Sequence, residues 1–140
     1  MSFVVDSSVA LSWCFEDERT PATQALLERI AETGALAPRH WPLEVLNGLM
    51  MGERRKRIDA TLRAGLTAFL RDLPINLDDE TTLHVWDVAQ RLAGLYSLTI
   101  YHAVYLELAR RKNLPLATLD RELRGACVNL GVPLLGIDTP

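Results

Sequence analysis

Short runs of apolar, β-branched residues alternate along this chain with longer segments of helical period, and that alternation leaves few folds open. Phe3-Val4-Val5, Ala35-Leu36-Ala37-Pro38, Pro74-Ile75-Asn76-Leu77, Leu114-Pro115-Leu116-Ala117-Thr118 and Val132-Pro133-Leu134-Leu135 read as buried strands. Between them lie helices. The first begins at Ser7-Ser8 with Ser8 as its cap, and the second is opened by Thr20-Pro21 and ends at Gly34. Others start at Pro42, cover 59–71 and 81–95, follow a Thr99 cap, and run up to Leu130. Strands regularly separated by helices predict an α/β fold of three layers, a central parallel sheet with helices on both faces. The chain has 140 residues with no linker, repeat or low-complexity tract, so one domain over 1–140 is expected.

Composition narrows the setting. Hydrophobic residues make up 49% and charged residues 24%, the balance of a globular protein. No apolar run reaches the length of a membrane span, and no basic segment followed by an apolar stretch opens the chain, so a cytoplasmic protein with no membrane partner is expected. The net charge of −3 excludes a generally basic surface as the means of attracting nucleic acid; local basic patches or bound cations would have to do it. Cys14 and Cys127 lack any CxxC or Cys/His spacing, which predicts free thiols and no zinc.

In open α/β sheets ligands sit at the carboxyl ends of the strands. Two strand candidates end beside an aspartate, Val4-Val5-Asp6 and Leu116-Ala117-Thr118-Leu119-Asp120, and Glu44 falls in the first turn of the helix after the Leu36 strand. Central parallel strands would bring the three to one edge of the sheet. Two unit charges about 4 Å apart repel by about 4 kcal/mol at an effective dielectric of 20, so such a cluster calls for a cation. Hard oxygen ligands suit Mg2+ or Mn2+. Each residue also has a purely structural role open to it: Asp6 and Asp120 as helix caps, Glu44 at the positive end of its helix.

Four segments, in order along almost the whole chain, resemble the motifs of PIN-domain ribonucleases of the VapC toxin type. They are Phe3-Val4-Val5-Asp6-Ser7-Ser8-Val9-Ala10-Leu11, Pro42-Leu43-Glu44-Val45-Leu46-Asn47-Gly48-Leu49, the stretch from Leu98-Thr99-Ile100-Tyr101-His102 to Ala109, and Leu116-Ala117-Thr118-Leu119-Asp120-Arg121-Glu122-Leu123. The resemblance implies a PIN-like fold and a toxin of a toxin–antitoxin system. That protein would be an endoribonuclease hydrolysing RNA with Mg2+ or Mn2+, neutralised by a VapB-like antitoxin and forming a homodimer. It implies Asp6, Glu44 and Asp120 as catalytic metal ligands, supported by the hydroxyls of Ser8 and Thr118.

The third motif departs from the family pattern, which has an aspartate where this chain has His102. With Thr99 as cap, residue 102 is the third of its helix, where the positive helix end favours a carboxylate over a protonated imidazole. A neutral imidazole ligates Mn2+ or another transition metal better than Mg2+. His102 therefore joins Asp6, Glu44 and Asp120 as a catalytic and metal-binding candidate, with activity possible but reduced. The alternative is a weakened PIN-fold protein that binds antitoxin or RNA without cutting.

Several other residues have two readings each. Arg54-Arg55-Lys56-Arg57 and Arg110-Arg111-Lys112 either complement helix C-termini or touch phosphate. Arg39 and His40, just before the Glu44 helix, are nearer candidates for RNA. Trp13 and Trp41 fit packing better than base stacking. Gly48 and Gly52, four apart, admit the close approach of another helix, within the domain or across a dimer.

Overall fold

The structure is a computed structural model and describes residues 2–137. Five strands, β1 (Val4–Val5), β2 (Ala35–Ala37), β3 (Ile75–Leu77), β4 (Leu116–Ala117) and β5 (Leu134–Leu135), form one sheet in the order β3-β2-β1-β4-β5. Every pairing is parallel, with Val4 beside both Leu36 and Leu116. The helices are α1 (Ser7–Ser12), α2 (Pro21–Thr33), α3 (Trp41–Arg54), α4 (Ala60–Asp72), α5 (Thr81–His84), α6 (Gln90–Tyr96), α7 (Ile100–Lys112) and α8 (Arg121–Leu130). A single 3-10 turn, Glu16–Glu18, precedes α2, and a π-helical segment, Val85–Ala89, joins α5 to α6. This is the three-layer α/β/α architecture that the alternation of elements predicts.

Local chemistry fixes the element ends. Thr20 and Thr23 form a reciprocal capping box at the start of α2, with Pro21 in its first turn. The Thr99 hydroxyl accepts from the His102 backbone N–H, so residue 102 is the third of α7. Gly34 turns the chain from α2 into β2 at φ +69°, a conformation that a β-carbon would strain, with the Pro74 carbonyl 3.0 Å from where that carbon would lie.

The first and most apolar strand, β1, lies at the middle of the sheet, and Phe3, Val4 and Val5 are wholly buried. Each such side chain stabilises the fold by about 1.5–3 kcal/mol. Helix α7 packs on β1 and β4, between α8 and the α5–α6 segment, and is buried without a break from Ala103 to Ala109. On the neighbouring surface α1 crosses α3, and α3 packs on α4. Gly48 and Gly52 are the reason α1 comes so near: a β-carbon would fall 2.5 Å from Leu11 Cδ1 at Gly48 and 2.6 Å from the Phe15 ring at Gly52. The close approach is thus within the chain. Trp13 and Trp41 are buried in the core, and Cys14 and Cys127 are buried free thiols, each with its pKa pushed up by burial to about 11.

One local expectation fails. Ser8 does not cap α1, because the helix already begins at Ser7 with Asp6 at the cap position. The Ser8 hydroxyl is turned elsewhere, into the site described next. No helix among the described residues is long and apolar enough to cross a membrane.

A candidate acidic site at the carboxyl edge of the sheet

The chain runs from β1 outward through β2 to β3, then returns to β4 on the other side of β1. The direction of the sheet therefore switches at β1 and β4, the place where such folds hold ligands. Asp6 follows β1 directly, Asp120 follows β4 by two residues, Glu44 lies in the first turn of α3, and His102 lies in the first turn of α7.

Asp6 is 1% exposed. Although it stands at the cap position of α1, its side chain accepts no helix N–H, so the capping role does not account for it. Its carboxylate is instead gripped by hydroxyls. Thr118 donates to Oδ2 at 2.7 Å, Ser8 donates to Oδ2 at 2.9 Å, and Ser7 reaches Oδ1 at 3.3 Å. The first two hydroxyls are oriented in turn by the loop after β4: Thr118 accepts from the Asp120 backbone N–H at 3.0 Å and Ser8 from that of Leu119 at 3.0 Å. Burial pushes the Asp6 carboxyl above the usual carboxylate range, against the bonds from Thr118 and Ser8; the charge of Glu44 adds to the rise and His102 opposes it. No lysine or arginine among the described residues forms an ion pair with it.

Glu44 is held from two sides. The Tyr105 hydroxyl donates to its Oε1 at 2.5 Å, and His40 Nε2 lies 3.2 Å from the same oxygen but makes no hydrogen bond. Tyr105 is itself fully buried on α7, one turn below His102. Burial, then the charges of Asp6 and Glu44, hold its phenol well above the ordinary range, so the O–H stays a donor. On the outer side, Asp120 caps α8 by accepting from the Leu123 N–H at 2.8 Å, and His102 Nδ1 lies 3.9 Å from its Oδ2.

All four residues named from the sequence thus follow strands or open helices at the same edge, with His102 3.9 Å from Asp120. Their donor chemistry suits a hard cation, and a buried carboxylate with no cationic side chain beside it is the residue such an ion would compensate. As positioned, however, no three His, Cys, Asp or Glu side chains among the described residues stand together as a ready cage. The structure adds a residue that the sequence reading passed over, Tyr105. Its only signal was its spacing of three from His102, which puts the two on one helix face.

The basic runs are spent elsewhere. Arg57 pairs with Asp17 and Glu18 and lies 4.0 Å over the Phe15 ring. Arg111 is bound by Glu107 and Asp78. Arg54 is ten residues beyond Glu44 along α3, about 15 Å from the edge at 1.5 Å per residue. Arg39 and His40 precede α3 on the side of the site; Arg39 is exposed, and His40 is half-buried beside Glu44.

The family profile of the PIN domain matches residues 3–128. The chain belongs to the PIN-domain family, whose members are generally nucleases. Among solved structures it resembles PAE2754 from Pyrobaculum aerophilum, at 21% identity and a TM-score of 0.66 over 90% of this chain and 84% of that one. It also resembles VapBC2 from Rickettsia felis bound to a DNA fragment from its promoter, at 15% identity and 0.66 over 99% and 100%. A third likeness is FitAcB from Neisseria gonorrhoeae, at 16% and 0.53 over 96% of each chain. At these identities the likeness is one of fold. A comparison with curated proteins finds no match.

Proposed function

We propose that this PIN-domain protein is a VapC-type toxin, a divalent-cation-dependent endoribonuclease restrained by a VapB-like antitoxin and acting as a homodimer. The observation that carries the reading is Asp6: a carboxylate 1% exposed, at the switch point of the sheet, held by hydroxyls and lacking an ion pair among the described residues. A fold does not bury such a charge for stability, since Asn would fill the same space without the desolvation.

Asp6, Glu44, Asp120 and His102 would hold the cation, Mg2+ or Mn2+. When bound, such an ion lowers the pKa of water and offsets negative charge gathering at phosphorus. The remaining work belongs to the chain. Ser8 and Thr118 fix Asp6 so that it presents the same oxygen throughout, and Asp120 is held by the start of α8, while His102, 29% exposed, supplies the side-chain movement that closing on an ion requires. Helices α3, α7 and α8 all begin at this edge, and their positive ends favour phosphate despite the net charge of −3. Water bonds to phosphorus in line as the P–O3′ bond breaks, and the proton the water loses is balanced by one that the departing 3′ oxygen takes from solvent. The likeness to VapBC2 and FitAcB supports the toxin reading. So does an apolar hollow of about 310 Å3 beside the site, lined by His40, Leu43, Val85, Ile100, Tyr101 and Val104, which an antitoxin segment would cover.

The rival is a binding module that holds RNA or antitoxin without cutting. It draws on His102 at an aspartate position and on the lack of a three-ligand group among the described residues. Cleavage of RNA with Mg2+ and with Mn2+ separates the two: the unaltered chain should cut, and Asp6→Ala should lower the rate at least a hundredfold and lose cation binding in calorimetry. Equal background from both proteins would leave the binding module standing.

A further inference from the structure

We propose that Tyr105 is a positioning residue of the acidic site, which holds Glu44 in place as the partner of Asp6 for a divalent cation. The proposal rests on the cation reading of the site given above. Three observations carry it.

First, Tyr105 supplies the hydrogen bond that places the Glu44 carboxylate; His40, the other group near it, lies 3.2 Å away without forming one. Glu44 is in the first turn of α3, its side chain is 25% exposed, and the helix backbone gives its carboxylate no bond. A glutamate with three free torsions at such a place samples many rotamers. The Tyr105 bond at 2.5 Å removes that freedom, and it does so from a different element, 61 residues away.

Second, Tyr105 is a rigid holder. The residue is fully buried on the helix that packs against β1, so its ring is fixed by the core rather than by the bond it makes. His40 packs edge-on against it with ring centroids 5.4 Å apart, which closes the side facing α3. A phenol brought so deep into the core needs an acceptor, and Phe would fill the same space without one.

Third, the hydroxyl serves one carboxylate of the pair and leaves the other to different donors. A neutral O–H donates one bond only. It is given to Glu44 Oε1, which leaves Oε2 of Glu44 for another partner, while Asp6 draws its bonds from Ser7, Ser8 and Thr118. The division gives the site a fixed inner half, Asp6 and Glu44, each oriented by hydroxyl donors. In the outer half, Asp120 is tied to the start of α8 and His102 stands 3.9 Å from it.

The experiment is Mn2+ binding by calorimetry on the whole chain, with Tyr105→Phe, Glu44→Gln and the double variant, alongside thermal melting without metal. Residues that orient metal ligands contribute about 10–100-fold in affinity, and Tyr105→Phe is expected to weaken Mn2+ at least tenfold. If Tyr105 works through Glu44, adding Tyr105→Phe to Glu44→Gln weakens binding no further, which a loss of general stability would not reproduce. Unchanged Mn2+ affinity in Tyr105→Phe overturns the proposal. So does an equal loss in both backgrounds, because the hydroxyl would then act on the fold and not on Glu44. If the unaltered chain binds no Mn2+, the cation reading itself falls and the role of Tyr105 with it; if it binds and Asp6→Ala does not, that reading stands whichever way Tyr105 is decided.

Discussion

At position 102 an imidazole stands where the family resemblance calls for a carboxylate, and its surroundings say what restoring the acid would do. His102 Nδ1 is 3.9 Å from Asp120 Oδ2, at the positive end of α7. His102→Asp would set a second negative charge against Asp120 while placing a carboxylate at the positive start of α7; the two effects oppose each other, so stability in chelator is expected to change by less than about 1 kcal/mol. Mg2+ should then raise both the melting temperature and the rate of RNA cleavage; thermal melting with and without Mg2+, and a cleavage assay over a range of Mg2+, check both. The other acidic residues were legible because local pattern places them: Asp6 directly after an apolar run, Glu44 in a first helical turn, Asp120 before a helix. Tyr105 was not, since a tyrosine inside an apolar helix has the pattern of a core residue. Nothing in the spacing says that its hydroxyl meets a carboxylate 61 residues earlier.

The elements themselves were read with little error, because short apolar runs and capping residues are local signals. The exceptions have local causes. Ser8 has the residue type of a cap, but Asp6 starts the helix two residues sooner and draws the hydroxyl to itself. The stretch 81–95 has a continuous helical pattern, which does not reveal the π-helical segment at Val85–Ala89. Gly48 and Gly52 gave a helix contact without a partner, since a small-residue face does not name what approaches it. That contact is testable. Gly52→Ala would drive a methyl against the Phe15 ring, over which the Arg57 guanidinium lies, itself held by Asp17 and Glu18. A loss of about 1–3 kcal/mol in urea unfolding is expected. Gly65→Ala, in α4 with nothing within 4 Å, should instead gain about 0.5–1 kcal/mol.

Across the molecule, one ionic network ties distant parts of the fold together. Arg111 at the end of α7 bonds Glu107 on its own helix and Asp78 just after β3. Asp78 binds Thr81, whose hydroxyl also accepts from the Arg39 backbone ahead of α3. Burial pushes the Asp78 carboxyl up, but the bonds from Arg111, Thr81 and the Glu80 backbone outweigh it and hold the carboxyl below its ordinary value of 3.8. A depressed folded-state value means that stability is present above the ordinary value and is lost as pH falls through the folded one. The chain should therefore lose stability as the pH falls below about 4, and Asp78→Asn should flatten that part of the curve. Arg111→Ala leaves two buried carboxylates without their cation and is expected to cost about 3–5 kcal/mol at neutral pH, measured by denaturant unfolding. The layered architecture was legible in the alternation of elements, whereas this network was not, because it joins residues that only the finished topology brings near. The same topology governs when the molecule becomes competent. The strand at the middle of the sheet precedes the other four, yet the hydroxyl that grips Asp6 from the far side follows 112 residues later. A nascent chain made only as far as β3 has its central aspartate but neither Thr118 nor Asp120, so the acidic edge is assembled only once β4 and the start of α8 have emerged.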